Sequence, residues 1–179
     1  MKPILFSTPL VKAILNDTKN QTRRIKKTDN PKYEVGDTLW VRETWAVVKQ
    51  YDKIKPSELQ KDLDTRYKTD LGGEFFRIGE GKIRKWGKWR PSIFLPKGMH
   101  RIELEVTAVR VERLKDIGEQ DAIGEGVIKF DDGYENYMGQ GTFKSPVSSF
   151  LSLWLSVYGI ESVGENPELF VYNFKTLKK

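Results

Sequence analysis

The stretch HRIELEVTAVRVERL, residues 100–114, decides the fold class because it is the clearest strand in the sequence. Polar residues alternate here with apolar ones, which is the pattern of a strand that packs one face on a core. The residues expected to face that core are Ile102, Leu104, Val106 and Ala108. The strands that pair with it must come from segments before and after it in the sequence.

Further strands and helices are predicted on both sides of it. Short apolar or alternating segments predict strands, and segments with an N-terminal serine and a 3.6-residue apolar period predict helices. We expect strands within 3–7, 32–48 and 168–177, and helices within 7–17, 116–126 and 145–159. Residues 46–90 are interpreted as an insertion or extended hairpin, and 127–145 as a glycine-rich loop. This order predicts an α+β protein with a small β-barrel decorated by helices.

The composition excludes several classes of site. The chain has 179 residues, no cysteine and one histidine, His100. Disulfides, thiolate zinc sites and cysteine nucleophiles are therefore excluded, and we expect no metal and no cofactor. The length fits a single domain, residues 1–179. The sequence lacks a signal-peptide pattern and an apolar run of spanning length, so we expect a cytoplasmic protein without a membrane partner.

The charge is moderately positive and unevenly distributed. The formal net charge is +6, with basic residues concentrated in 1–30 and 77–101 and acidic ones in 112–145. Such an uneven distribution of charge favours an anionic partner such as nucleic acid. Ordinary solvated faces explain the charge equally well.

The polar stretch DTKNQTRRI, residues 17–25, contains a possible base and nucleophile. Lys19 can take the proton of the Thr22 hydroxyl if its own pKa falls toward neutrality. Burial and neighbouring cations such as Arg23 and Arg24 favour the neutral amine. The alternative is a basic turn after a helix, and spacing alone favours that alternative.

The stretch EQDAIGEG, residues 119–126, supplies candidate proton donors. Glu119, Asp121 and Glu125 lie on or just after a short predicted helix. One of these carboxyl groups can protonate a leaving amine. The alternative, a solvated helix face, is favoured by sequence alone.

The stretch RKWGKWRP, residues 84–91, interleaves tryptophans with cations. Aromatic rings stack on unpaired bases while cations meet phosphates, so this pattern favours RNA contact through Trp86, Trp89 and Arg90. The alternative is that both tryptophans fill the core.

Taken together, the order of these segments resembles the ASCH domain proteins of the PUA-like superfamily, especially the longer version common in phages and prophages. The matching segments are ILNDTKNQTRR, YEVGDTLWVRETW, KWRPSIFLP, RIELEVTAVRVERLKDIGEQDAIGEG and FVYNFK. They cover most of the chain except about 47–84, a probable insertion, and about 127–144, a long loop.

The resemblance implies a β-barrel with a cleft for RNA or a modified nucleoside. Short bacterial members are N4-acetylcytidine amidohydrolases, and their catalytic lysine, threonine and glutamate fall on Lys19, Thr22 and Glu125. The residues expected to contact substrate or RNA are Arg23, Arg24, Trp40, Arg42, Trp45, Trp86, Trp89 and Arg90. We further expect Trp40 or Trp45 to wall the pocket. The alternatives are a non-catalytic RNA-binding module and a phage accessory protein that acts through protein contacts.

Overall fold

The computed structural model describes residues 1–59, 63–70, 75–78 and 82–179. The four α-helices in this part of the chain are α1 (Thr8–Leu15), α2 (Glu119–Gly124), α3 (Pro146–Tyr158) and α4 (Ile160–Glu165). Its strands are β1 (Lys2–Leu5), β2 (Gln21–Ile25), β3 (Thr38–Arg42), β4 (Trp45–Val47), β5 (Thr65–Tyr67), β6 (Phe75–Ile78), β7 (Lys82–Lys85), β8 (Glu103–Arg113), β9 (Lys129–Phe130), β10 (Gly133–Glu135), β11 (Thr142–Phe143) and β12 (Glu168–Lys178).

The main sheet has five strands in the order β1-β3-β8-β12-β2, which confirms the predicted α+β class. β1 pairs with β3 in parallel, and every other pair is antiparallel. The predicted barrel is not closed, because edge strands β1 and β2 share no ladder within the described ranges. A side chain joins the two edges instead, since Arg24 Nη2 donates a hydrogen bond to Leu5 O at 3.1 Å.

The core beneath this sheet follows the alternation of β8 only as far as a bulge. Ile102, Leu104 and Val106 are fully buried, as predicted. Ala108 is exposed, and its assignment to the core was wrong. The pairing with β12 shifts between Asn173 and Phe174, opposite 106–108, and the extra residue reverses which side chains face the core.

The predicted C-terminal helix is confirmed as α3. The Ser145 hydroxyl accepts a hydrogen bond from Val147 N, and Pro146 occupies the first turn. Phe150 and Trp154 are buried in a second apolar cluster between α3 and the sheet. Tyr158 follows Trp154 by one turn and is 38 % exposed, so the last turn of α3 brings an aromatic ring to the surface.

The segments read as insertion and loop contain further strands. Within the described residues of 47–84, β4 pairs with β5 and β6 with β7. The 60–62, 71–74 and 79–81 parts of the predicted insertion lie outside the described residues. The expected glycine-rich loop forms a three-stranded sheet of β9, β10 and β11.

Candidate functional site

A tight turn after α1 carries Lys19 into the interior. Asp17 adopts a left-handed backbone conformation with φ of 58°. Both Thr18 N and Lys19 N donate to Ala13 O, at 2.9 and 3.2 Å, which reverses the chain toward β2. Lys19 is consequently 2 % exposed although it is a lysine in a polar stretch.

Glu125 meets Lys19 from the end of α2. The two residues form an isolated antiparallel bridge between segments 106 positions apart. Gly126 makes the approach possible, because its φ of +85° is left-handed and a Cβ there would lie 2.8 Å from Lys19 Cβ. Glu125 is 4 % exposed, so the pair is buried together.

The Lys19 ammonium is surrounded by oxygen atoms. Its Nζ donates to Gln21 O at 2.7 Å, Glu125 O at 2.7 Å and Glu125 Oε2 at 3.0 Å. Burial lowers the pKa of Lys19 from 10.5 to about 8, an effect that the Glu125 carboxylate opposes and that Arg24 and Arg23 reinforce. A lysine with this pKa exchanges its proton near neutral pH, which is what a general base requires.

Arg23 extends the Lys19–Glu125 pair into a larger charge network. Its Nη1 donates to Glu125 Oε1 at 3.1 Å, and its Nη2 donates to Glu112 Oε2 at 2.8 Å and Asp121 Oδ2 at 2.9 Å. Arg110 contacts the same Glu112 and Asp121 carboxylates from nearer the surface. Arg23 Nε is buried and has no hydrogen-bond partner among the described residues. The described residues thus leave the hydrogen-bonding capacity of this N–H unused.

The Thr22 hydroxyl lies in β2 beside these charges. Thr22 is 1 % exposed. Its Oγ1 accepts a hydrogen bond from Arg24 Nη1 at 2.6 Å. The Arg24 guanidinium also lies 5.4 Å from the centroid of the Phe6 ring. Arg24 therefore holds the threonine oxygen and an aromatic ring in one place.

Four of these residues, Thr22, Arg23, Arg24 and Glu125, line a cavity of about 310 Å³, which we call the aromatic cavity. It occupies the gap between edge strands β1 and β2, and α3 covers it. Its polar lining consists of Ser7, Thr22, Arg23, Arg24 and Glu125. Its apolar lining consists of Leu5, Phe6, Leu10, Phe150, Leu153, Trp154, Val157 and Tyr158. Lys19 lies against this wall, with Nζ 5.4 Å from the Phe6 ring centroid.

Three residues predicted to contact the ligand are core residues instead. Trp40 and Trp45 are 3 % and 0 % exposed and belong to an apolar cluster with Leu95 and Met99. Arg90 is 5 % exposed, and its guanidinium donates to backbone carbonyls of the 51–54 segment. The expectation that a tryptophan of β3 or β4 walls the pocket was wrong, because both rings are buried within this cluster.

The remaining predicted contacts lie away from the aromatic cavity. Arg42 donates to Ile93 O at 3.0 Å and lies 4.7 Å from the Trp40 ring centroid. Trp86 and Trp89 are half-buried and line a separate basic cavity of about 310 Å³. The Trp89 ring already contacts two cations, Arg66 at 4.9 Å and Lys68 at 4.7 Å from its centroid.

Sequence reasoning missed the aromatic wall. The sequence predicts a helix within 145–159, but it does not show that Phe150, Trp154 and Tyr158 line a cavity. The Trp154 and Tyr158 rings are stacked with centroids 4.2 Å apart, and Trp154 Nε1 donates to Ser162 Oγ at 2.7 Å. The available signal was the spacing of these three residues, which places an aromatic ring on one face of α3 at each turn up to its end.

Comparisons with protein-family models, characterised proteins and solved structures found no significant match to this chain. Within the described ranges, no helix is both long and apolar enough to cross a membrane. The same residues contain no group of three or more histidine or acidic side chains placed to hold a metal ion. The carboxylates near the site contact arginine and lysine instead.

Proposed function

We propose that this protein handles RNA or a modified nucleoside and hydrolyses the amide of an N4-acylated cytidine, as an ASCH domain of the PUA-like superfamily. The observation that carries the proposal is the buried Lys19–Glu125–Arg23 constellation at the wall of the aromatic cavity, with the Thr22 hydroxyl beside it. The resemblance of the sequence to the amidohydrolases supports roles for Lys19, Thr22 and Glu125.

The aromatic cavity suits a planar base. A volume of about 310 Å³ is at the small end of ligand pockets and accommodates one heterocycle rather than a longer ligand. Aromatic side chains bind bases by stacking, and polar groups at one end of a pocket fix the orientation of the ring. The polar groups Thr22, Arg23 and Glu125 all line this cavity, so the acyl amide is placed toward them.

The first chemical step forms an acyl-enzyme. Neutral Lys19 takes the Thr22 hydroxyl proton while Thr22 Oγ1 bonds to the acyl carbon. The Nε–H of Arg23 stabilises the carbonyl oxygen as it becomes an oxyanion. The C–N bond then breaks, and the Lys19 ammonium returns the proton to the leaving N4 atom. Arg24 must release Thr22 Oγ1 from their 2.6 Å hydrogen bond as this occurs.

The second step regenerates the protein. Water attacks the Thr22 ester while Lys19 takes a proton from it. The bond between the acyl carbon and Thr22 Oγ1 then breaks, Lys19 returns the proton to Oγ1, and the carboxylic acid leaves. We assign Glu125 the role of holding and stabilising the Lys19 ammonium. Both of its carboxylate oxygens accept hydrogen bonds from cations, an arrangement that suits an acceptor better than the proton donor expected from sequence.

A binding module without catalysis is the second candidate. All three protons of the Lys19 ammonium have protein acceptors, and Thr22 Oγ1 accepts a hydrogen bond from Arg24. Such a closed network can support a rigid binding pocket without reacting. In this case the same cavity holds a base, and no acyl group is released.

Release of acetate from N4-acetylcytidine tests the proposal. Lys19→Arg keeps the positive charge but cannot deprotonate, so it should abolish turnover. Thr22→Ser should retain part of the activity and Thr22→Val none, because only serine keeps a hydroxyl. Lys12→Arg, at an exposed lysine of α1, is the matched control and should behave as the parent.

Cytidine binding, measured by calorimetry, shows whether each variant still has its pocket. Equal, non-zero rates for the parent and Lys19→Arg would refute the general-base role. Cytidine binding with no acetate release from the parent would select the binding module.

A further inference from the structure

A second cavity adjoins the aromatic one and is strongly basic. It measures about 240 Å³, and we call it the basic cleft. Its lining comprises Arg24, Ile25, Lys27, Thr28, Asn30, Lys32, Tyr33, Phe170 and Tyr172. Three of these side chains are cations and none is a carboxylate. Such a lining attracts an anion rather than a neutral or positive ligand.

The two lysines of the basic cleft are available to a ligand. Lys27 and Lys32 are exposed. Neither forms an ion pair with a carboxylate in the part of the chain that the structure describes. By contrast, the adjacent Lys26 contacts Asp29 and Glu168 at 3.4 and 3.2 Å. The cations that line the cleft are therefore the ones without an internal counter-charge.

Hydroxyl groups complete the cleft. Tyr172 Oη accepts a hydrogen bond from Lys32 N at 3.2 Å, so its own proton can be donated to a ligand oxygen. Thr28 Oγ1 donates to Asn30 O at 2.9 Å, which shapes the turn between the two lysines. Cations together with neutral donors are the combination that phosphate oxygens accept.

Arg24 connects the basic cleft to the aromatic cavity. Its side chain lines both. The guanidinium contacts Thr22 Oγ1 and Leu5 O on the side of the aromatic cavity. Ile25, the last residue of β2, and Lys27, just after it, continue the wall of the cleft. The two cavities therefore meet at the Arg24 side chain.

We propose that the ligand of this site is a phosphorylated nucleotide, with its base in the aromatic cavity and its phosphate in the basic cleft. This inference rests on the proposed function for the identity of the base. In this arrangement the two neighbouring arginines have different roles. Arg23 faces the reacting amide, whereas Arg24, Lys27 and Lys32 hold the phosphate. The phosphate belongs either to a free nucleotide or to an RNA strand.

A third cavity supplies matched control lysines for a test of the phosphate site. It measures about 490 Å³ and also contains two exposed lysines, Lys12 and Lys129. It shares no lining residue with the aromatic cavity. Removing these two charges changes the net charge equally without touching the proposed phosphate site.

Calorimetric binding to the parent protein, Lys27→Gln/Lys32→Gln and Lys12→Gln/Lys129→Gln tests the proposal. The probes are cytidine, cytidine 5′-monophosphate, cytidine 3′-monophosphate and a trinucleotide with a central cytidine. We expect the parent to bind at least one phosphorylated probe about tenfold more tightly than cytidine, the size of one charge-assisted hydrogen bond. Lys27→Gln/Lys32→Gln should lose this preference and still bind cytidine, and the control pair should keep the preference.

The four probes distinguish a phosphate of a free nucleotide from a phosphate of an RNA strand. A preference for a monophosphate assigns a free nucleotide, and a preference confined to the trinucleotide assigns an RNA strand. Equal binding of cytidine and all phosphorylated probes overturns the inference, as does loss of the preference in the control pair alone. Because binding is measured without turnover, a preference for phosphate supports the inference even if N4-acetylcytidine is never hydrolysed. Hydrolysis of the nucleoside without a phosphate preference supports only the proposed function.

Discussion

Replacing Glu125 by glutamine should lower the pKa of Lys19 further, because the change removes the carboxylate that contacts the ammonium at 3.0 Å. In the parent, burial lowers this pKa from 10.5 to about 8 even though Glu125 opposes the effect. That difference corresponds to roughly 3 kcal/mol of preference for the neutral amine. Lys19 is thus poised between the cost of burial and the attraction of one carboxylate.

The size of the change follows from the contact. An opposite charge within hydrogen-bond distance shifts a pKa by about 1–3 units. Glu125→Gln should therefore bring the pKa of Lys19 to between roughly 5 and 7. Glutamine has nearly the shape of glutamate, so its carbonyl oxygen can still accept one hydrogen bond in the same place.

The midpoint can be measured by a pH titration of the lysine Hε–Cε signals by NMR, with Lys19→Met identifying the signal. Glu112→Gln is the matched control, because Glu112 contacts Arg23 at 2.8 Å but has no hydrogen bond to Lys19 among the described contacts. It should leave the pKa of Lys19 near the parent value. A parent midpoint near 10.5, or an unchanged midpoint in Glu125→Gln, would refute the reasoning.

The same values set a pH dependence of stability. Between pH 8 and 10.5 the unfolded chain keeps the Lys19 proton that the folded protein has released. The unfolded state then binds more protons, so the Lys19 contribution to the free energy of unfolding rises with pH across this window. In Glu125→Gln the rise should begin at lower pH, which denaturation at a series of pH values would detect.

Two further pairs of substitutions test the packing of the core and of the site. Trp45→Ala should lower the free energy of unfolding by about 3–5 kcal/mol because this ring is fully buried. Trp89→Ala, at a half-buried ring, should lower it less. Equal losses would contradict the placement of Trp45 in the core. Gly126→Ala should cost at least about 2 kcal/mol in urea denaturation, since its left-handed backbone adds strain and its Cβ would lie 2.8 Å from Lys19 Cβ. Gly36 has a similar φ of +88° and open space around it, so Gly36→Ala should show the cost of backbone strain alone. An equal loss of stability in both variants would contradict a steric clash between a Cβ at position 126 and Lys19.

Much of the secondary structure could be predicted because it depends on local patterns. Alternation identified β8 and β12, and a serine followed by proline identified the start of α3. The limit of that reasoning is visible at Ala108. Alternation assumes an unbroken pairing, and the bulge opposite Asn173 and Phe174 depends on a strand some 60 positions away.

The candidate site was only partly predictable. The types of residue in DTKNQTRRI nominated Lys19 and Thr22. Those in EQDAIGEG left Glu119, Asp121 and Glu125 open, and only the resemblance to a family selected Glu125. Neither the pattern nor the charge revealed that Lys19 and Arg23 are buried while Lys27 and Lys32 are exposed. Trp40 and Trp45 were likewise assigned to the ligand because sequence alone does not distinguish a strand tryptophan in the core from one that lines a pocket.

The sequence by itself determined the α+β class, the absence of cysteine chemistry, the positions of the long strands and the start of α3, because each depends on residue type or on a period of a few residues. Only the tertiary structure decided that the sheet stays open between β1 and β2, that α3 covers the gap, and that Lys19 meets Glu125. The physical reason is that hydrophobic periodicity records which face of an element is buried but not which edge or helix lies opposite. The proton affinity of a lysine likewise depends on the oxygens and cations that the fold brings around it.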